Sequence, residues 1–566
     1  MTTDEHNARP SPPPPVRADG VSAVGAGLEP LGDFPAATPA GTRALGRSVS
    51  GSLTWVMGAT LVNKSAAFVT QAVLGWLLTK GDFGLFFTAV AVAGLITVCR
   101  DMGIREVLIE RGKDAYATYS GPGFWMALSY NLMMAAVMAS LAWPLSVYVF
   151  DDHRLAEMLW IMAAGLPLGT LSAVMQPRLR MELRFKELSR QTAASSLLRQ
   201  GTTIALALSG FEHLSLAIPV VVVAVFDSAT TWWIVRGRPW RSPPQTALWG
   251  GMFRDSKWLM LCSFAIVALD FGPALAIGAV LGASSEINGV YSFAYAITAQ
   301  VGSLLAFNFQ LVIFPALALL KREPERQCQA ALRALRALML LGAVSSLGLA
   351  AIIAPLQHLV WRGHWAVAVP AAMVFGLFFP WRISFGLTAA FQLARGRFRQ
   401  HAVATAIEGL GMIGAATVGA TLLPGVPTPV GIALCTGLWL FISRLGMTIW
   451  VFGTAGTPAR EVLAATVPAW LIAIAGAGVA IALDRTIAPH VETLAARLAD
   501  LGPSPGVARS IVDLCRIALA GTICLTIFVA LTRTLLAAQL SDALRALPAR
   551  LRRPLERFLL LRGDNA

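Results

Sequence analysis

The sequence predicts an all-α polytopic membrane protein of about 14 transmembrane helices, arranged as two pseudo-symmetric six-helix lobes around a central cavity, with two further helices appended. Three observations carry this. The 566 residues are 56% hydrophobic and 13% charged, with mean hydropathy +0.64, and apolar runs recur that exceed the ~20 residues a helix needs to cross a ~30 Å hydrocarbon core. The basic residues alternate between rich and poor connections. Short strings in the first half return in the second.

The apolar windows fall at roughly 53–78, 83–99, 121–148, 155–176, 192–209, 214–235, 257–282, 287–315, 335–355, 366–391, 402–423, 429–452, 462–483 and 511–532, the fifth being the weakest. The first two are joined by the turn Thr79-Lys80-Gly81-Asp82, and Lys64 lies inside the first. An ammonium at bilayer depth costs about 2.5–3.5 kcal/mol on insertion scales, so Lys64 is expected to face a partner or a wet cavity rather than lipid.

With the N-terminus placed in the cytoplasm, 34 of the 45 lysines and arginines fall on that side, six on the other and five within spans. This bias sets the topology and places both termini inside. It also accounts for the net charge of +14 without any nucleic-acid-binding face. The first 50 residues, with Ser11 followed by Pro12, Pro13, Pro14 and Pro15, read as a disordered cytoplasmic tail. The turn holding Arg100, Asp101, Gly103, Arg105 and Arg111 reads as a solvated loop. Arg178 to Lys186, and Arg545, Arg550, Arg552, Arg553 and Arg557 in the tail 533–566, read as basic amphipathic segments on anionic headgroups.

Comparison of the halves predicts a duplication. Gly84-Leu85-Phe86 resembles Gly289-Val290-Tyr291, Arg190-Gln191 recurs as Arg399-Gln400, and Thr231-Trp232-Trp233 as Thr448-Ile449-Trp450. The expected lobes are 51–240 and 241–455, followed by two spans within 456–532. Because each unit has an even number of spans, the repeats share orientation and are related by an axis along the membrane normal. In this register Lys64 matches Asp270, Arg199 matches Glu408, and Asp227 matches Arg444, each cation opposite an acid. The expectation is that these groups form or exchange partners across the cleft. Arg382 has no counterpart and is a separate candidate for an anion contact. Prolines 144, 167, 219, 273, 370, 380 and 468 permit kinks, and Asp270-Phe271-Gly272-Pro273 is expected to place a carboxylate beside a helix break.

Enzymatic signatures are missing. No phosphate loop of the Walker type occurs. Gly409-Leu410-Gly411-Met412-Ile413-Gly414 has dinucleotide spacing but sits inside a span, where it reads as close helix packing. Cys99, Cys262, Cys328, Cys435, Cys515 and Cys524 are scattered singly, and no two of the seven histidines are spaced as a metal pair. The sequence therefore predicts no catalytic site, metal or cofactor, and the chain is read as a non-enzyme.

Leu77-Leu78-Thr79-Lys80-Gly81-Asp82-Phe83-Gly84-Leu85-Phe86 leads into Asp101-Met102-Gly103-Ile104. Gln176-Pro177-Arg178 runs on to Arg184-Phe185, and Asn288-Gly289-Val290-Tyr291 to Phe314-Pro315. Over roughly residues 50–455 the chain resembles the oligosaccharide and polysaccharide flippases of the multidrug, oligosaccharidyl-lipid and polysaccharide exporter superfamily. The resemblance implies a cavity lined by the first, second, seventh and eighth spans, with a substrate diphosphate held by cavity cations while its polyprenyl chain stays in lipid. It implies translocation of a polyprenyl-diphosphate-linked oligosaccharide across a bacterial inner membrane, for exopolysaccharide, O-antigen or lipopolysaccharide assembly. Expected partners are that glycan, membrane lipids and a polysaccharide polymerase. The expected cavity residues are Lys64, Arg382, Asn308, Gln310, Arg199 and Arg444, and the expected ion-coupling acids Asp270, Glu408 and Asp227. A multidrug exporter of the same fold and a membrane glycan polymerase or ligase are the alternatives.

Overall fold

A backbone in hydrocarbon must satisfy its own hydrogen bonds, which leaves helices or closed barrels. The computed structural model describes residues 58–60, 62–97, 112–182, 184–246, 249–320, 323–422, 428–500 and 504–536. Among these residues the regular structure is entirely helical. The tail 1–50, the turn with Arg100 to Arg111 and the basic tail beyond 536 lie outside the described residues, as do the side chains of Asn308 and Gln310.

Every predicted window falls on helix where it is described. The first span is helical over 62–77. The others follow as Lys80–Thr97, Gly112–Pro144, the pair Arg154–Leu168 and Thr170–Met181, Phe185–Leu208, Leu214–Val235, Trp249–Leu281, Glu286–Leu319, Pro324–Trp361, Val369–Ala394, Phe398–Thr421, Thr428–Gly453, Ala459–Ile487 and Pro505–Leu535. Ten of these described helices are long and apolar enough to cross a membrane, or 11 counting the bent fourth pair. The fifth span fails that test, as its serines, threonines and glutamines foretell.

Local sequence explains the irregular points. Thr79 and Asp82 form a reciprocal cap at the start of the second span: Thr79 N donates to Asp82 Oδ2 at 3.1 Å and Asp82 N to Thr79 Oγ1 at 3.2 Å. Pro144 passes into a short π-turn at Leu145–Val149. The fourth span bends by 47° at Gly169, two residues beyond Pro167. Pro273 does not break its helix, contrary to expectation: Trp249–Leu281 runs through it. One missing hydrogen bond is tolerated where the eleventh span packs alongside, with Ile413 against Gly272.

The glycine string of the eleventh span does serve packing. A Cβ at Gly409 would lie 2.7 Å from the carbonyl oxygen of Ala265 in the seventh span, and Gly411 lies under the ring of Trp439 in the twelfth. The last two spans are fastened to the second lobe. Trp470 Nε1 donates to Leu377 O at 2.7 Å and His358 Nδ1 lies 2.7 Å from Asp513 Oδ2, while Arg516 ties the two spans to each other through Asp484 and Asp513 at 2.8 and 3.0 Å. Between these spans lies a short amphipathic helix, Val491–Ala499, whose Val491 and Ala495 pack on Val512.

The two lobes meet at the end that carries the corners 78–79, 150–153, 282–285 and 361–365. Asn288 Nδ2 donates to Thr88 Oγ1 at 2.8 Å and to Gly84 O at 3.2 Å, and Ala283 N donates to Phe150 O at 3.1 Å. Trp361 and Trp365 donate to the carbonyls of Ala72 and Gly75 at 3.0 and 2.9 Å. Trp365 also stacks on Phe293, with centroids 3.8 Å apart. Lys80 and Glu286 add an ion pair at 3.5 Å.

Candidate functional site

Inward from this seal, Gln300 of the eighth span donates to Gln71 of the first across the lobe boundary. About two turns further along the first span lies Lys64. It is half-buried and has no hydrogen-bond or ion-pair partner among the described residues. Its neighbour Asn63 accepts a hydrogen bond from Ser196 Oγ at 2.5 Å, which ties the first span to the fifth. On that fifth span Arg199 keeps solvent-reachable surface although protein crowds round it, and it too lacks a partner among the described residues.

The matched charges pair differently from expectation. Asp270 binds Arg382, 20% exposed, and accepts a bond from Tyr295 Oη at 3.3 Å. Glu408 binds Arg444, whose side chain is 1% exposed. Asp227 takes a hydrogen bond from Ser195 Oγ, while its backbone carbonyl accepts from Gln191 Nε2 at 3.1 Å. Each partner named here belongs to the same lobe as the acid. The cross-lobe pairs Lys64 with Asp270, Arg199 with Glu408, and Asp227 with Arg444 are therefore not formed in this conformation. Arg382, expected to meet an anionic ligand, is neutralised by Asp270. The physical reason is distance: an acid deep in one bundle is met first by a cation on an adjacent helix of that bundle.

Tyr295 and Phe385 were not foreseen. Phe385 lies between the two ion pairs, with the Arg444 guanidinium 4.5 Å and that of Arg382 5.9 Å from its ring centroid. Nothing in the sequence marks one phenylalanine among 27, whereas Gln71 and Gln300 were detectable as amides within apolar runs. Asn308 and Gln310 sit on the eighth span, with their side chains outside the described residues.

At the opposite end of the first lobe a recess of about 420 Å³ is lined by Tyr116, Arg178, Glu182, Arg238 and Ser242. Burial there pushes the Tyr116 phenol up to about 12. The basic stretch expected to rest on headgroups is partly self-neutralised, with Arg178 and Arg184 on Glu182 at 2.8 and 3.4 Å. Among the described residues one group has metal-ligating composition, Asp82, Glu212 and His213.

The described helices thus form two lobes sealed to one another at one end, with Lys64 and Arg199 of the first lobe unpartnered among the described residues deeper along their helices. A family model described as "Polysaccharide biosynthesis protein" matches residues 73–370, more than half of the chain, and the chain belongs to this family. Its fold is similar to a solved structure described as "Lipid II flippase MurJ, inward closed conformation", with TM-score 0.62 and 11% identity over 85% of this chain and 99% of that one. It is also similar to an "Outward-facing conformation of a multidrug resistance MATE family transporter of the MOP superfamily", with TM-score 0.50 and 16% identity over 72% and 95% of the two chains. Curated protein sequences give no significant match.

Proposed function

We propose that the chain carries a polyprenyl-diphosphate-linked oligosaccharide from the inner to the outer leaflet of a bacterial inner membrane, with both termini cytoplasmic. The observation that carries this reading is the sign of the unengaged charge. Asp227, Asp270 and Glu408 each have a partner, whereas Lys64 and Arg199 have none among the described residues. A path with spare cations suits a diphosphate, and a cationic drug would need spare carboxylates. Family membership in polysaccharide biosynthesis supports the same choice.

In this reading the corners at 78–79 and 282–285 face outward and the structure is closed on that side. The headgroup enters from the cytoplasm, meets Lys64 and Arg199, and leaves when the seal opens. Moving such a headgroup through bare hydrocarbon is prohibitive, so a wet, partly cationic path is the essential contribution of the protein. Asp270, paired with Arg382 yet 31% exposed, is the acid through which a proton or sodium ion couples to the cycle. The chain acts as a carrier, delivering its cargo to a polymerase rather than extending the glycan itself.

The test is a deletion strain. It should accumulate radiolabelled lipid-linked oligosaccharide, relieved by the wild-type gene and by Lys64→Arg but not by Lys64→Ala. Unchanged lipid-linked saccharide together with altered drug sensitivity would overturn the reading in favour of a drug exporter.

A further inference from the structure

The outer corner of the first lobe gathers more negative charge than it neutralises. Arg154 bonds Asp82 Oδ1 at 3.2 Å and Asp152 Oδ2 at 2.9 Å, while Glu157 and Glu212 gather beside His213. Within this group one donor atom each from Asp82, Glu212 and His213 lies within 4.8 Å of the other two. They come from separate elements: Asp82 from the first turn of the second span, Glu212 and His213 from the corner between the fifth and sixth.

His213 supplies the independent observation. It is 9% exposed, and its Nδ1 is buried without a hydrogen-bond partner. Leaving a buried polar nitrogen unmatched is unfavourable, so such an atom points to a missing ligand. Its other nitrogen, Nε2, lies 3.3 Å from Glu157 Oε2. With Nε2–H donating to that carboxylate, Nδ1 keeps a lone pair that no described group engages, and a histidine backed by an acid in this way is the usual form of a metal ligand. Asp82 is preorganised by Thr79 and Arg154, which use three of its roughly four lone-pair sites and leave one. Glu212 is exposed and keeps an entry route from water.

We propose that Asp82, Glu212 and His213 bind a divalent transition-metal ion, with Zn²⁺ as its simplest occupant, clamping the second span to the corner of the fifth and sixth. One imidazole with two carboxylates suits Zn²⁺ or Mn²⁺, whereas Mg²⁺ and Ca²⁺ prefer oxygen alone. The remaining coordination positions go to water.

The experiment uses the full-length protein in detergent, with any affinity tag removed and the metal stripped by chelator. Calorimetric titration with ZnCl₂ and elemental analysis should give one equivalent per chain and a raised thermal midpoint, with no comparable response to MgCl₂. His213→Ala should abolish stoichiometric binding, and Glu157→Gln should weaken it by about 10–100-fold. Because Asp82→Asn also disturbs the Arg154 pair, the exposed Glu212→Gln serves as the variant that leaves the fold intact, and it should likewise weaken binding. Wild-type protein that retains no stoichiometric Zn²⁺, or His213→Ala and Glu212→Gln binding as tightly as wild type, would overturn the proposal.

Discussion

Gly84 and Gly289, which open the similar strings Gly84-Leu85-Phe86 and Gly289-Val290-Tyr291, lie back to back. A Cβ built on Gly84 would come 3.0 Å from Gly289 N, and one built on Gly289 would come 3.3 Å from Gly84 N. The contact brings the second and eighth spans together backbone to backbone. It also explains the glycines, since on each side a side chain would meet main chain, Ala283 O and Ser285 O on one and Lys80 O on the other.

Gly289→Ala should therefore open this seal. Lys80 offers backbone there, which cannot swing aside, and overpacking of this kind costs about 1–3 kcal/mol. Disulfide cross-linking between cysteines introduced at Lys80 and Glu286 should fall about tenfold or more in the Gly289→Ala background. An unchanged yield would mean that the seal tolerates a methyl group.

The Glu408–Arg444 pair should behave as a buried ion pair. Removing one partner strands a charge and costs about 3–5 kcal/mol, whereas replacing both with apolar groups of similar volume is close to neutral. Glu408→Leu and Arg444→Met should each lower the thermal midpoint in detergent, and the double variant should recover most of the loss. Additive losses would argue that the pair is solvated.

Asp270→Asn should release Arg382. The freed guanidinium adds a cation to the path, so binding of a diphosphate-bearing lipid should tighten while the dependence of transport on the ion gradient disappears. Vesicle transport assays across imposed proton and sodium gradients read both effects, and full gradient dependence in the variant would exclude Asp270 as the coupling acid.

Asp152 gives a pH dependence whose sign follows from its neighbours. Burial alone would raise its carboxyl, but hydrogen bonds from Arg154 and Ser284 outweigh this and hold it below its ordinary 3.8. A depressed folded value means the contribution is present in full above 3.8 and is lost as pH falls through the lower value. The loss of thermal stability on acidification below that point should be shallower in Asp152→Asn than in wild type.

The membrane class and the placement of the spans were legible in one dimension. The bilayer imposes length and hydropathy on each crossing and biases the charge of each connection, and these are properties of contiguous sequence. The likeness of the Gly84 and Gly289 strings was visible for the same reason. Which charge meets which was not legible. Asp270 chooses Arg382 rather than Lys64, and His213 meets Glu157, because helix faces far apart in the chain are brought together only by packing. Local spacing carries no record of those contacts, so the partners of every buried charge were decided by the tertiary structure alone.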